Sequence, residues 1–277
     1  MVPGRVSVIM GVYNCSSTVE EAVRSIVNQT YPDWELVVCD DCSKDDTAQK
    51  VLAFAGELGG KLIFLQNEKN LMLAATLNRC LEHVSGEFVA RMDGDDISLP
   101  DRFEKQVAFL NAHPEYELVG TLMAPFDETG RKGTRAMPEE PDKYRIRTNT
   151  PFAHATVMAR SRMFKALGGY RVSPEITRCE DVDLWFRFFE AGYRGYNIQE
   201  ALYLVREDSK NFSRRNIRHA LNTSRVLKRG FKALKFPLKY YPYILKPVAC
   251  AVIPPSWMAG YHKKADSKSE KGRDANA

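Results

Sequence analysis

The chain has 277 residues, 44% hydrophobic and 27% charged, enough to bury a sizeable core in one large domain or in one domain with an appendage. No uninterrupted apolar run approaches the ~18 residues of a membrane span. Met1-Val2-Pro3-Gly4-Arg5 leads straight into a strand-like segment, which leaves no room for a signal peptide, so a cytoplasmic address is expected. The net charge of +5 conceals an asymmetry: residues 1–205 carry 23 Lys/Arg against 30 Asp/Glu, whereas residues 206–277 carry 17 against 5.

In chain order, Val6 to Met10 reads as a buried strand, and Val19, Ala22, Val23, Ile26 and Val27 carry the spacing of a helix. Trp34 to Cys39 is a second strand, Thr47 to Ala55 a helix, Lys61 to Leu65 a third strand and Leu73 to Val84 a helix. Glu87 to Met92 is a fourth strand, and Pro100 starts a helix that runs to His113-Pro114. Leu118 to Met123 is a fifth strand, and residues 125–150 are polar and turn-rich. Ala155 to Ala159 reads as a strand, and Arg162 to Leu167 as a short helix stopped by Gly168-Gly169. Glu180-Asp181-Val182-Asp183 opens a last helix in this part, on carboxylates that its dipole favours. Strands alternating with helices predict an α/β domain with a mainly parallel sheet covered on both faces.

On such a sheet, ligands bind beyond the carboxyl ends of the strands. Three polar clusters fall there: Gly11-Val12-Tyr13-Asn14, Asp40-Asp41, and Asp93-Gly94-Asp95-Asp96. Three carboxylates within four positions repel one another. A divalent cation held with a phosphorylated substrate would neutralise them, whereas the bland alternative is a solvated acidic turn. No G-x-G-x-x-G follows the first strand and no G-x-x-x-x-G-K-[ST] occurs, so dinucleotide-binding and P-loop readings lose their support. Cys39-Asp40-Asp41-Cys42 is formally a C-x-x-C, but no second cysteine pair or neighbouring His completes a metal site, and the six cysteines read as free thiols.

The order and spacing of these segments resemble the family 2 glycosyltransferases. The residues that carry the likeness are Ser7 to Asn14, Ser25 to Tyr31, Trp34-Glu35-Leu36, Asp40 to Thr47, and Asn67 to Asn70. They continue with Ala90 to Asp96, Leu99 to Gln106, and Glu180-Asp181. The chain departs at Gly11, where proline is common, at Cys42, where glycine is common, and at Leu71, where glycine often follows the asparagine. The resemblance implies a GT-A fold, with a mixed, mostly parallel central sheet flanked by helices. It also implies an inverting transfer from a nucleotide-diphospho-sugar, with Mn2+ or Mg2+ as cofactor.

Carried over residue by residue, the resemblance places Val12, Tyr13, Asn14, Asp40, Asp41 and Asn70 around the nucleotide. A carboxylate there can accept the N3–H of uracil and Tyr13 offers a stacking face, although Asp40-Asp41-Cys42-Ser43 also suits a helix N-cap before Thr47. Arg91, Asp93, Gly94 and Asp95 belong to the sugar-nucleotide site, with Asp95, Asp93 and Asp96 as metal ligands. Arg91 can offset the cluster's charge or simply close its strand. Asp181 is the expected general base, Glu180 the second candidate, as acceptor ligand or orienter, and Asp183 a weaker one that also suits the helix start. His154 is a candidate phosphate or acceptor contact, with a structural role as the alternative. Trp185 reads as core in preference to a sugar platform.

The expected organisation is a transferase domain over residues 1–205, a basic amphipathic extension over 206–262 and a disordered tail over 263–277. In the extension Arg214-Arg215, Arg218, Arg225, Lys228-Arg229, Lys232, Lys235, Lys239 and Lys246 alternate with apolar residues, and Pro247 to Trp257 is too short to span. Such a pattern suits peripheral attachment to an anionic membrane, at its inner face for a cytoplasmic protein. A solvated basic helix packed on the body is the alternative. Nucleic acid is not an expected partner, because the body is acidic and no binding motif appears. The expected function is synthesis of a cell-surface polysaccharide or lipid-linked glycan from a UDP-sugar. The alternatives are a sugar-1-phosphate nucleotidyltransferase and a non-catalytic sugar-nucleotide-binding protein at the membrane.

Overall fold

The computed structural model describes residues 1–207 and 217–252. Strand β1 (Val2–Val12) leads to α1 (Val19–Val27), β2 (Trp34–Asp40), two short helices α2 (Thr47–Leu52) and α3 (Ala55–Leu58), and β3 (Leu62–Gln66). Helix α4 (Met72–Leu81), β4 (Gly86–Asp93), the two-residue β5 (Ile97–Ser98) and α5 (Arg102–Ala112) follow. Next come β6 (Leu118–Asp127), β7 (Gly130–Arg131), β8 (Met158–Arg160), α6 (Ser161–Leu167), α7 (Glu180–Glu190) and β9 (Gly195–Arg206). The C-terminal part supplies α8 (Ile217–Ala233), a 3-10 segment Leu238–Leu245 and α9 (Lys246–Val252).

The strands form one mixed sheet in the order β3-β2-β1-β4-β8-β6-β9-β5, with β7 hairpinned onto β6. Strands β3, β2, β1 and β4 are parallel; β8 joins them antiparallel and pairs β6, whose other neighbour β9 is parallel to it. Alternation explains the two-sided core. Val8 and Met10 of β1 face Val23, Ile26 and Phe103, while Ile9 faces Leu77, Cys80 and the α7 side chains Leu184 and Trp185.

Several local expectations shift. Gly11 and Val12 lie inside β1, so only Tyr13-Asn14 follow the strand. The helix expected over Thr47 to Ala55 is broken into α2 and α3. Ala155 and Thr156 belong to a 3-10 turn, His154–Thr156, and the strand begins at Met158. The polar stretch 125–150 holds the end of β6, its hairpin with β7, and a 3-10 turn at Lys143–Arg147. The 12-residue β9 had no expectation over it. Its alternation fails at Gln199-Glu200-Ala201, where the register against β6 slips.

The irregular residue of the third motif is Met72, not Leu71: Met72 has φ +70°. Its backbone N–H donates to Asp41 Oδ2 (2.9 Å), which holds it in the left-handed region. A side chain there is strained, and the Met72 side chain is exposed. Met72→Gly is therefore expected to raise stability by about 1 kcal/mol, read as a higher urea midpoint at unchanged m.

The described part of the basic extension, residues 217–252, is folded against the body. Val226, Leu227 and Phe231 of α8 join the α7 core, and a Cβ at Gly230 would lie 2.3 Å from the Phe186 ring, so only glycine permits this approach. All the cysteines are free. Arg214-Arg215, the end of Pro247 to Trp257, and the tail 263–277 lie outside the described residues.

Candidate active site

Register brings the polar clusters together. Gly11 pairs Asp93 across β1–β4, and Val12 pairs Asp40 across β1–β2. Gly94 lets the acidic turn close on β1, since a Cβ there would meet Val12 Cγ1 and Cys15 Sγ at 2.9 Å. Carboxylate oxygens of Asp93, Asp95 and Asp96 all lie within 4.8 Å of one another. Burial, then the Asp93 and Asp95 charges, push the Asp96 carboxyl up to about 8, and burial and Asp93 raise Asp95 as well.

Three basic or phenolic side chains hold this turn, and two of them come from the unexpected β9. The Tyr203 hydroxyl accepts the Asp93 N–H (3.2 Å). Arg206 donates its backbone N–H to Asp96 Oδ1 (2.8 Å) and its Nε to the Asp95 carbonyl (2.9 Å). Arg91, 4% exposed, pairs with Asp93. Burial opposes the Arg91 charge, but Asp93 and its neighbours more than restore it and hold its pKa above the usual value. Arg91 in turn is seated by Arg102, fully buried on α5, which donates Nη2 to the Arg91 carbonyl (2.9 Å) and Nε to Gln106 Oε1 (3.0 Å).

Beside the turn opens a cavity of about 520 Å³, lined by Val12, Tyr13, Asp41, Asn70, Met72, Glu180 and the segment from Arg171 to Arg178. Of the residues assigned to the nucleotide, Val12, Tyr13, Asp41 and Asn70 line it. Asp40 and Asn14 do not. Asp40 is fully buried, and its Oδ2 accepts from Ser43 N (3.1 Å) and Gln66 Nε2 (3.0 Å). Its Oδ1 has no partner among the described residues. Asn14 clasps the next loop, accepting the Lys44 N–H (2.8 Å). Asp41 accepts from Asn67 Nδ2, Leu71 N and Met72 N, so it caps α4, not the Thr47 helix, which is served by Asp45.

Glu180, Asp181 and Asp183 occupy the first turn of α7. The Arg91 charge is felt at Glu180, Asp181 and His154, as it is at Asp95. Burial raises both Glu180 and Asp181, and Arg91 only partly offsets it. Asp181 Oδ1 accepts the Val182 N–H (2.8 Å). Burial first, then Arg91, lowers His154 well below 6.5, so its ring is neutral and shares a hydrogen bond with Tyr170 Oη (2.8 Å). Trp185 is fully buried, with Nε1 donating to Thr150 Oγ1 (3.1 Å), so it offers no open face to a sugar. Asp183 is buried beneath the helix start and accepts from Arg171, Arg187 and Arg229. No role is legible in the sequence for Tyr203, Arg206, Arg102 or the 171–178 wall. Of these only Arg102 lies in a motif that carries the family likeness, Leu99 to Gln106.

Residues 7–168 match the model of the family described as glycosyl transferase family 2, and a Bacillus subtilis (strain 168) protein, the candidate glycosyltransferase EpsE, is 46% identical over 97% of this chain and 96% of its own. The chain belongs to glycosyl transferase family 2. A second member, the amylovoran biosynthesis glycosyltransferase AmsE of Erwinia amylovora, is 32% identical over 76% of this chain and 79% of its own. Among solved structures, S. aureus TarS 1-349 in complex with UDP-GlcNAc superposes with a TM-score of 0.64 at 20% identity, covering 89% of this chain and 80% of that one. The Pyrobaculum calidifontis mannosyltransferase PcManGT, in complex with GDP-Man and Mn2+, also gives 0.64 at 20% identity, covering 94% and 79%. The mixed sheet with flanking helices is thus the GT-A fold of this family, and the chain is a glycosyltransferase.

Proposed function

We propose that this family 2 member is an inverting, metal-dependent glycosyltransferase. It moves a sugar from a nucleotide-diphospho-sugar, a UDP-sugar, to a hydroxyl of a glycan or lipid-linked acceptor in polysaccharide synthesis. The observation that carries this reading is the gathering of carboxylates around Arg91, which pairs with Asp93 of the Asp93/Asp95/Asp96 cluster and whose charge is also felt at Asp181. The names of the relatives support the biosynthetic context, and TarS and PcManGT have been solved with UDP-GlcNAc and GDP-Man respectively.

The donor set suits a hard divalent cation: three carboxylates, oxygen ligands only, with Asp95 and Asp96 raised in pKa by burial and by their acidic neighbours. Asp95, Asp93 and Asp96 would hold Mn2+ or Mg2+, which supplies positive charge to the departing diphosphate. Tyr13 stacks on the base and Asp41, with one lone pair still open, accepts from it, while Asp40 stiffens the floor beneath. Arg91 pairs with Asp93 and orients it. Asp181 takes the proton of the acceptor hydroxyl as that oxygen attacks the anomeric carbon, a single displacement that inverts the centre. Glu180 orients the acceptor, and neutral His154, whose Nε2 is engaged with Tyr170 Oη, would contact it through its other ring nitrogen.

The extension supports peripheral membrane attachment. Residues 217–252 contain eight Lys/Arg and no Asp or Glu. Leu238 is 80% and Leu245 66% exposed beside Lys239 and Lys246, and no described helix is long and apolar enough to cross a membrane.

Calorimetry with a panel of nucleotide sugars tests the site. At least one UDP-sugar is expected to bind at least about tenfold more tightly with Mn2+ than with a chelator, a difference of about 1.4 kcal/mol. A panel with no metal-dependent binding would sink the proposal.

A further inference from the structure

The wall of the cavity from Arg171 to Arg178 is irregular chain between α6 and α7, with few hydrogen bonds of its own: Ile176 N to Ser173 O (3.0 Å) and Cys179 N to Ile176 O (2.9 Å). Such a segment keeps one shape only if something outside it does the holding. Ile176 anchors it in the core, and two polar contacts from elsewhere hold the rest, both of which lead to α8.

The first is a single amide. Asn222 of α8, 4% exposed, donates Nδ2 to the Pro174 carbonyl (3.1 Å) in the middle of the wall, and its Oδ1 accepts from Arg225 Nη1 (3.1 Å) on the same helix. The second is a charge knot. The Asp183 side chain, 3% exposed, accepts at Oδ1 from Arg171 Nη1 (2.8 Å) at the start of the wall and from Arg229 on α8, and at Oδ2 from Arg187 Nε (2.8 Å). Arg187 Nη1 also donates to the carbonyls of Leu167 (2.8 Å) and Gly169 (2.9 Å), which fixes the turn that leads into the wall. Three guanidiniums on one buried carboxylate stay together only while that carboxylate is present. Helix α8 itself is immobilised by the Gly230–Phe186 contact and by Phe231 in the core.

We infer that helix α8 is a brace of the donor cavity: Asn222 and Arg229, acting through Pro174 and through the Asp183–Arg171 pair, are positioning residues that set the shape of the 171–178 wall and with it the affinity for the nucleotide-diphospho-sugar. The basic extension thereby has a second role besides any surface it offers to a membrane. This rests on the assignment of the cavity to the donor.

The test uses the full chain with Asn222→Ala, Arg229→Leu and the conservative Arg229→Lys, and leaves Asp183 intact so that no buried cations are orphaned. Binding of UDP-GlcNAc and GDP-mannose with Mn2+ is measured by calorimetry, amide hydrogen exchange is followed along the chain, and thermal unfolding is recorded. Asn222→Ala and Arg229→Leu are each expected to weaken whichever ligand the wild type binds by about tenfold, the scale of a few side chains or a short loop losing order. Exchange is expected to quicken over 171–178 but not over β1, β2 or β4, and Arg229→Lys is expected to restore most of the affinity. Unchanged affinity, or weakening that comes only with global loss of protection and a lower unfolding midpoint, would overturn the brace. If the wild type binds neither ligand, the UDP-sugar of the panel that does bind takes their place, and if none binds the donor assignment fails by itself. The exchange pattern then decides the brace alone, with unchanged exchange over 171–178 counting against it.

Discussion

Replacing Asp181 with Asn should lower turnover by about 10²–10⁴-fold while leaving nucleotide-sugar binding near wild type, the range a lone general base contributes. The substitution keeps the shape at the start of α7, including an oxygen able to accept the Val182 N–H, but removes the group that takes the acceptor proton. Glu180→Gln should cost less, because Glu180 lines the cavity and can orient the acceptor without carrying the proton. The pH profile supplies an independent signature. Burial raises the Asp181 pKa above its ordinary 3.8, with hydrogen bonds and Arg91 offsetting only part of it. The ionised form is the active one, so turnover is present above the raised pKa and is lost as pH falls through it, at higher pH than for an ordinary exposed aspartate. The variant's residual rate should lose the Asp181 part of that limb, leaving only the pH dependence that donor binding itself shows through Asp95 and Asp96. Steady-state kinetics between pH 4 and 8, with donor binding measured in parallel, checks both parts. An acid limb of kcat at saturating donor that is the same in Asp181→Asn as in wild type would remove Asp181 from the role of base.

Arg102→Met is expected to destabilise the protein by about 2–4 kcal/mol, despite preserving volume and apolar contact. The side chain is fully buried, and burial pulls its own pKa down to about 10, the mark of a charge held at a cost. Two acceptors depend on it, the Arg91 carbonyl and Gln106 Oε1, and each buried acceptor left unpaired costs about 1–3 kcal/mol. Arg102 also lies over the Tyr203 ring (5.0 Å). Gln106 donates Nε2 to the Val119 (3.0 Å) and Thr156 (2.9 Å) carbonyls, so the pair ties α5 to β6 and to the turn after His154. Denaturant unfolding at unchanged m gives the magnitude. A neutral or stabilising result would mean that relief of the buried charge outweighs the lost hydrogen bonds, as it does for some buried ion pairs. The same variant should lower activity beyond its stability loss, because Arg91 loses the contact that seats it beside Asp93.

What was legible in the sequence is local. The helix at Val19–Val27, the strand from Trp34 and the carboxylate-led helix from Glu180 follow from periodicity and end signals within their own residues. So does the placement of Asp93-Gly94-Asp95-Asp96 at a strand end, which is where a parallel sheet presents its ligands. Asp40 and Asp41 show the limit of that reading. Adjacent and chemically alike, they are equal in the sequence, yet the sheet buries one as floor and turns the other to the cavity while using it to cap α4.

That this is an α/β chain whose carboxylates gather at strand ends is written in the residues themselves, because strand alternation, helical spacing and turn chemistry are encoded over a few residues at a time. Which groups meet is settled by packing: Tyr203 on Asp93 across 110 positions, Arg206 on Asp96 across 110, and Arg229 on Asp183 across 46. A residue's spacing along the chain fixes which way it faces on its own element. Which distant side chain stands opposite is set by the order and register in which the elements pack.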